Sequence, residues 1–346
     1  MNKTGIVWDE RFLLHDAGYG HPESPERLSV TFDLLDEKGV LDDAVIVEPR
    51  EATAEELYAV HTKEHVNRVI STKGTAFRFD GDTATSPESV EAALLAAGGT
   101  IKLTEDVVSG KLKNGFALIR PPGHHAEPNH SMGFCIFNNI AVAAKYAIDK
   151  LGLERVLVVD WDIHHGNGTQ WIFYKEPSVL YFSTHLYPYY PGTGAFSEEG
   201  DDDGRGYTVN VPLVSRMGDA DYQEIFKSIL VPIADEFKPQ LVMVSAGYDI
   251  ADGDPLGSMR VTPDGFALMT SIIMDIAEKH CGGKVVMALE GGYGLKALSL
   301  SIKATIETLL GCREPVLINN PALHPAIQLI INEARKVQLK NWKNLK

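Results

Sequence analysis

The sequence predicts a single α/β domain: a central, mostly parallel β-sheet with helices on both faces. Three observations predict it. Short apolar, β-branched runs alternate with longer helical stretches, the signature of strands joined by crossover helices. Four of those runs end in clusters of titratable residues, and ligands of open parallel sheets bind at the carboxyl ends of the strands. No internal repeat and no Pro/Ser-rich linker divides the chain, so one domain over 1–346 is expected.

In chain order, strands are expected near 4–8, 115–119, 154–160, 178–183, 207–212, 240–245 and 284–289, where Val, Ile, Leu and Phe concentrate. Helices are expected over 86–109, 138–151, 219–236, 263–281 and 295–311. In the first, Thr85 or Ser86 is the candidate cap and Pro87 suits the first turn. The polar, Gly-rich stretch SEEGDDDGRG (197–206) is expected to be a solvated loop. The basic tail over 320–346 is expected to be a peripheral helix or a partly frayed end.

Composition narrows the function. The 346 residues are 44% hydrophobic, enough for a large core. No apolar run reaches the length of a membrane span. The opening MNKTGIVWDERF lacks an apolar signal core, so a cytoplasmic protein is expected. A net charge of −15, from 47 acids and 32 bases, disfavours a nucleic-acid partner. Cys135, Cys281 and Cys312 are an odd, sparse set, which suits reduced thiols and not a disulfide framework.

The strand ends carry the chemistry. After ERVLVV, the segment DWDIHHGNGTQ holds Asp160, Asp162, His164 and His165. Asp162 and His164 stand two apart, so an extended backbone puts them on one face. Asp249, after QLVMVSAG, completes two carboxylates and one imidazole. Three ligands with an open fourth position describe a catalytic zinc site better than a structural one. After GFALI comes RPPGHHAE, where stiff prolines present His124 and His125 side by side. Two fixed imidazoles suit general acid/base work, with Asp160 and Asn167 as candidate acceptors. After KVVMALE, Tyr293 lies in GGYG, where glycines allow a phenol to reach over a site. Such a phenol donates to a developing oxyanion. Arg27, in HPESPER, is either an anion-binding group or a structural ion-pair partner.

RPPGHHAE, GFCIFNN, VDWDIHHGNGTQ, PGTG, SAGYDIADGDPLG and LEGGYG together resemble the zinc-dependent histone deacetylases of the arginase/deacetylase fold. The resemblance runs from His21 to Gly311 and is nearest to class II and bacterial deacetylase-like amidohydrolases. It implies zinc on Asp162, His164 and Asp249. It implies that His125 is the general base, oriented by Asn167, and that His124 is its electrostatic partner, with Asp160 as acceptor. Tyr293 resembles the oxyanion donor. Gly133, Phe134 and Tyr190 resemble walls of an acyl-lysine channel, Asp82 a rim residue, and Leu256 a gatekeeper that favours acyl-lysine over polyamine. Asp160, Asp162, His164, Ser183 and Thr184 resemble a potassium site. The implied activity is hydrolysis of acetyl-lysine in a peptide or protein, with homo-oligomerisation left open. Three alternatives stand beside it: an acetylpolyamine amidohydrolase, a two-manganese ureohydrolase and a non-enzymatic acyl-lysine binder. Gly166, where a second-metal carboxylate is expected, argues against the ureohydrolase.

Overall fold

The protein is described by a computed structural model covering residues 3–319 and 322–345. The outer bounds expected for the domain, and residue 320 where the tail begins, lie outside the described residues. Eight strands make one sheet: β1 (Thr4–Val7), β2 (Ala44–Val47), β5 (Asn114–Ala117), β6 (Val156–Asp160), β7 (Val179–Leu186), β8 (Thr208–Leu213), β9 (Leu241–Ala246) and β10 (Val285–Leu289). Their order is β2-β1-β5-β10-β9-β6-β7-β8, and every pairing is parallel. A small antiparallel ribbon, β3 (Phe77–Arg78) and β4 (Ala84–Thr85), stands apart. The four central strands are buried along their whole length. That burial on both faces is why they read as continuous apolar runs.

The helices are α1 (Glu26–Glu37), α2 (Ala54–Leu57), α3 (Lys63–Ile70), α4 (Ser89–Val108), α5 (Asn139–Asp149), α6 (Asn167–Phe173), α7 (Asp219–Ile225), α8 (Val231–Phe237), α9 (Pro263–Cys281), α10 (Leu295–Leu310) and α11 (Ile327–Gln338). They flank the sheet in groups: α4 packs on α5, α9 on α10, and α1 on α10. Among the described residues, no helix is long and apolar enough to cross a membrane. All three cysteines are free.

The structure departs from expectation in four places. Strand β2 is extra. The helix expected from 86 begins at Ser89, and neither Thr85 nor Ser86 caps it: the Ser89 hydroxyl accepts from Ser86 N–H instead, while Ser86 Oγ donates to Leu14. The helix expected over 219–236 carries a π-turn at Phe226–Leu230 between α7 and α8. Pro232 explains it, since proline cannot donate to the carbonyl four residues back. That carbonyl, of Ser228, accepts from Arg335 on α11. Finally, loop 197–206 is anchored, with Glu199 held by Lys340 and Glu198 accepting from Gln170, Gly194 and Ala195.

The basic tail is a docked helix. Gln338 donates to Thr208 O at 3.0 Å, and Trp342 Nε1 donates to Gly206 O at 2.9 Å. It covers the β8 edge of the sheet, which protects exposed backbone from edge-to-edge pairing.

Candidate active site

The four strands with polar ends, β5, β10, β9 and β6, are consecutive neighbours at the centre of the sheet. Their carboxyl ends therefore open onto one place. It receives His124 and His125 after β5, Asp160, Asp162 and His164 at and after β6, Asp249 after β9, and Tyr293 after β10.

Asp162, His164 and Asp249 converge. Their candidate ligand atoms all lie within 4.8 Å of one another. His164 Nδ1 is 3.0 Å from Asp162 Oδ1 and 3.1 Å from Asp249 Oδ2. Ligand atoms of a tetrahedral zinc, at about 2.0–2.2 Å from the ion, stand roughly 3.3–3.5 Å apart. The donor set thus fits a small divalent cation. The other carboxylate oxygens are occupied: Asp162 Oδ2 accepts Gly291 N–H at 2.8 Å, and Asp249 Oδ1 accepts Ile163 N–H at 2.8 Å. Both aspartates are fully buried. Burial and the Asp162 charge push Asp249 up to about 7. In Asp162 burial is outweighed by the positive rings of His124 and His164, and its pKa falls. Among the described residues this is the one such cluster. A second-metal site has no room at Gly166, because a Cβ there would collide with the Asp160 carboxylate and the Tyr181 hydroxyl.

His124 and His125 stack obliquely, with ring centres 4.0 Å apart. His124 Nδ1 meets Asp160 Oδ2 at 3.1 Å, and His125 Nδ1 meets Asn167 Oδ1 at 2.8 Å. Their environments pull them apart. Burial disfavours charge on His124, but Asp160 and Asp162 overcome it and raise the ring to about 10. Burial and the positive rings of His124 and His164 push His125 well below 6.5. A neutral imidazole beside a charged one separates base from electrostatic partner.

Of the residues expected to line a channel, Gly133 and Tyr190 lie against His125. Gly133 has φ of +56° and lies against His125, where an added Cβ would stand 2.5 Å from Cδ2. Phe134 sits edge-on to Tyr293, with ring centres 5.8 Å apart. Tyr190 lies 5.1 Å from the His125 ring centre. Tyr189 stacks on His164 at 5.3 Å, and its hydroxyl donates to Leu256 O at 3.0 Å. Leu256 is half-buried there, outside the core. Asp82 lies exposed on the rim; Thr83 links its loop to the wall by accepting Phe134 N–H at 3.1 Å. Ser183 pairs with Asp160 across β6 and β7, and the buried Thr184 hydroxyl beside it has no partner among the described residues.

Three contributors escape a reading of the sequence. Glu290, fully buried, accepts Gly123 N–H at 2.7 Å, His124 N–H at 3.1 Å and the Ser245 hydroxyl at 2.9 Å. A glutamate closing an apolar run was its only signal. Tyr181 donates to Asp160 Oδ2 at 2.9 Å. Glu127 accepts from Asn167 Nδ2 at 2.7 Å. Arg27 resolves as a structural ion-pair partner. It donates to Glu23 at 2.9 Å, Gly292 O at 2.6 Å and Glu290 O at 2.5 Å, while Arg120 holds Glu23 from the other side. Its guanidinium also lies 4.9 Å over the Tyr293 ring.

A parallel sheet with two carboxylates and one imidazole at its central carboxyl edge defines an arginase/deacetylase-like α/β protein. Within that class, this chain belongs to the histone deacetylase family: the model of the histone deacetylase domain matches residues 21–309. It is 44% identical to "Histone deacetylase 15" of Arabidopsis thaliana over 99% of this chain and 63% of that protein. It is 41% identical to "Polyamine deacetylase HDAC10" of Homo sapiens over 100% of this chain and 52% of that protein. It thus spans about half to two thirds of these relatives. The solved "HDA15 HD domain" superposes with a TM-score of 0.93 at 44% identity, covering 99% of this chain and 96% of that one.

Proposed function

We propose that this chain is a zinc-dependent hydrolase that removes acetyl groups from lysine side chains of peptides or proteins. The convergence of Asp162, His164 and Asp249 beside a neutral His125 carries the reading. Zinc on those three ligands would lower the pKa of a bound water to roughly 7 and polarise the amide carbonyl. His125 Nε2, which has no hydrogen bond among the described residues, takes the water's proton and returns it to the departing amine. The charged His124 ring stabilises the negative charge that develops beside it. Tyr293 donates its hydroxyl to the carbonyl oxygen as it gains charge. Burial holds that phenol well above 10, so it remains a donor. Phe134 and Tyr190 pack on the methylene arm, Asp82 holds the peptide at the rim, and Leu256 closes the lip. A buried potassium ion near Asp160, Asp162, His164, Ser183 and Thr184 belongs to the same proposal, supported by the orphaned Thr184 hydroxyl. The three free cysteines suit a cytoplasmic setting.

The similarity to a polyamine deacetylase keeps one second reading in view. A lip carboxylate would pair with a polyamine's second ammonium, and Leu256 offers none. The test compares acetyl-lysine peptides with acetylspermidine, for the wild type and Leu256→Glu. The expected result is wild-type preference for the peptides and a shift toward the polyamine in the variant. Wild-type protein that hydrolyses acetylspermidine faster than every peptide would overturn the assignment.

A further inference from the structure

We infer that Glu127 is a positioning residue that sets the tautomer of His125, through Asn167. The inference rests on the proposed reading of His125 as the base. The chain of contacts is short. Glu127 Oε1 accepts from Asn167 Nδ2 at 2.7 Å, and Asn167 Oδ1 meets His125 Nδ1 at 2.8 Å. A carboxylate only accepts. Glu127 therefore dictates which end of the Asn167 amide faces it, and leaves the oxygen for the imidazole. An amide oxygen also only accepts, so Nδ1 of His125 carries the proton. The lone pair is thereby left on Nε2, the atom that faces the site.

Asn167 alone has no such preference. Its amide nitrogen and oxygen are nearly the same shape, and a half-turn would present Nδ2 to His125. Nδ1 would then accept, Nε2 would carry the proton, and the base would be blocked. The other acceptor near Nδ2 is Met132 Sδ at 3.3 Å, a weak one. Glu127 itself is well held. Its N–H donates to His130 O at 3.0 Å, and its carbonyl accepts from the buried His61 Nδ1 at 2.9 Å. His61 is fixed in turn, because its Nε2 accepts Asn138 N–H at 3.0 Å. The carboxylate thus sits on a loop pinned from two sides, and its aim is set before any substrate arrives.

The test uses the zinc-loaded enzyme, ¹⁵N-labelled at histidine, as wild type, Glu127→Gln and Glu127→Leu. The His125 signals are identified by their loss in His125→Gln. Wild type should show Nδ1–H with bare Nε2. Glu127→Leu should lose roughly 10–100-fold in kcat on an acetyl-lysine peptide, as outer-shell partners typically do. KM should change by less than about threefold, and the ring should move toward the Nε2–H form. Glu127→Gln can offer Asn167 either its oxygen or its NH₂, so it should fall between the other two proteins in turnover and in tautomer. Turnover of Glu127→Leu within about twofold of wild type would overturn the inference. So would a Leu variant that loses turnover while keeping Nδ1–H, or a Gln variant more impaired than Leu. An inactive wild type would sink the functional reading alone, because the tautomer measurement still decides the role of Glu127.

Discussion

Replacing Glu290 separates the anchoring of the histidine loop from its chemistry. Glu290→Ala strips the partners from Gly123 N–H, His124 N–H and the Ser245 hydroxyl, all buried. The hydroxyl can rotate, but the two amides cannot. A buried, unsatisfied donor costs about 1–3 kcal/mol, so the amides alone predict a loss of about 2–6 kcal/mol. Glu290→Gln keeps an oxygen for both amides and turns its NH₂ toward Ser245 Oγ. Burial pushes the Glu290 carboxyl up to about 7, so near neutrality a neutral amide is a close mimic. The Gln variant should lie within about 1 kcal/mol of wild type at pH 7. The sign with pH follows. A carboxyl raised on folding keeps its proton longer in the native chain than in the unfolded one. Its contribution therefore falls as pH rises from 4.5 to about 7 and is level above that. Glu290→Gln should remove that part of the slope. Urea unfolding of the three proteins at pH 5, 6, 7 and 8 reads all of this, with turnover expected to fall further in Ala than in Gln. An Ala variant within 1 kcal/mol of wild type, or a Gln variant as unstable as Ala, would refute the anchoring role.

Other outcomes follow from the same geometry. Asp249→Ala should lose both bound zinc, read by elemental analysis, and activity; a metal-free variant with full activity contradicts the ligand assignment. Tyr293→Phe should keep its metal and fold but lose roughly 10²–10³-fold in kcat, and near wild-type turnover would reduce Tyr293 to packing. His61, His65 and His185 are buried neutral, with burial lowering them from 6.5 to about 3, about 4 and about 4. Below pH 6.5 the unfolded chain takes up protons that these native rings refuse, so stability is full above 6.5 and falls as pH drops toward 5. Glu290 titrates with the opposite sign in this window, so the slope lost in His185→Gln isolates one ring, and an unchanged slope between pH 7.5 and 5.5 would show that His185 is not buried neutral.

Most of the sheet was legible because parallel strands buried on both faces are unbroken apolar runs, and turn residues mark their ends. Strand β2 was not. Ala44–Val47 lies at the edge and leaves Ile46 exposed, so it lacks the burial on both faces that marks the central strands. The π-turn was hidden too, since Pro232 is tolerated by a local rearrangement that no periodicity records. The site divides along the same line. Asp162, His164, Asp249, His124, His125 and Tyr293 stand at strand ends where polar residues interrupt apolar runs, and the structure brings them together. Their supports do not announce themselves. Tyr181 looks like a core aromatic inside VLYF, and only the β6–β7 pairing shows its hydroxyl reaching Asp160. Glu127 looks like an ordinary loop acid. Arg120 meets Glu23 across 97 positions in the chain, a spacing that carries no local signal.

The charges of the site explain why a cation and a histidine pair go together. Four carboxylates, Asp160, Asp162, Asp249 and Glu290, are fully buried here. Burying a charge is costly unless it is paired. Glu290 is met by backbone amides, and Asp160 by the His124 ring and the Tyr181 hydroxyl. Asp249 spends one oxygen on a backbone N–H, Asp162 accepts a backbone N–H on each oxygen, and both aim one oxygen at the same nitrogen of His164. That arrangement leaves two anions facing one imidazole, and the strain shows in Asp249, pushed up to about 7. A divalent cation removes the conflict, because it favours both carboxylates ionised and His164 neutral. Binding then releases protons, so affinity should rise with pH. It also adds stability that the metal-free fold lacks. The same cation would repel charge on His125, which burial and the His124 ring already disfavour. In the proposed reading the base would stay neutral chiefly through burial, and the ligands would stay ionised through the cation.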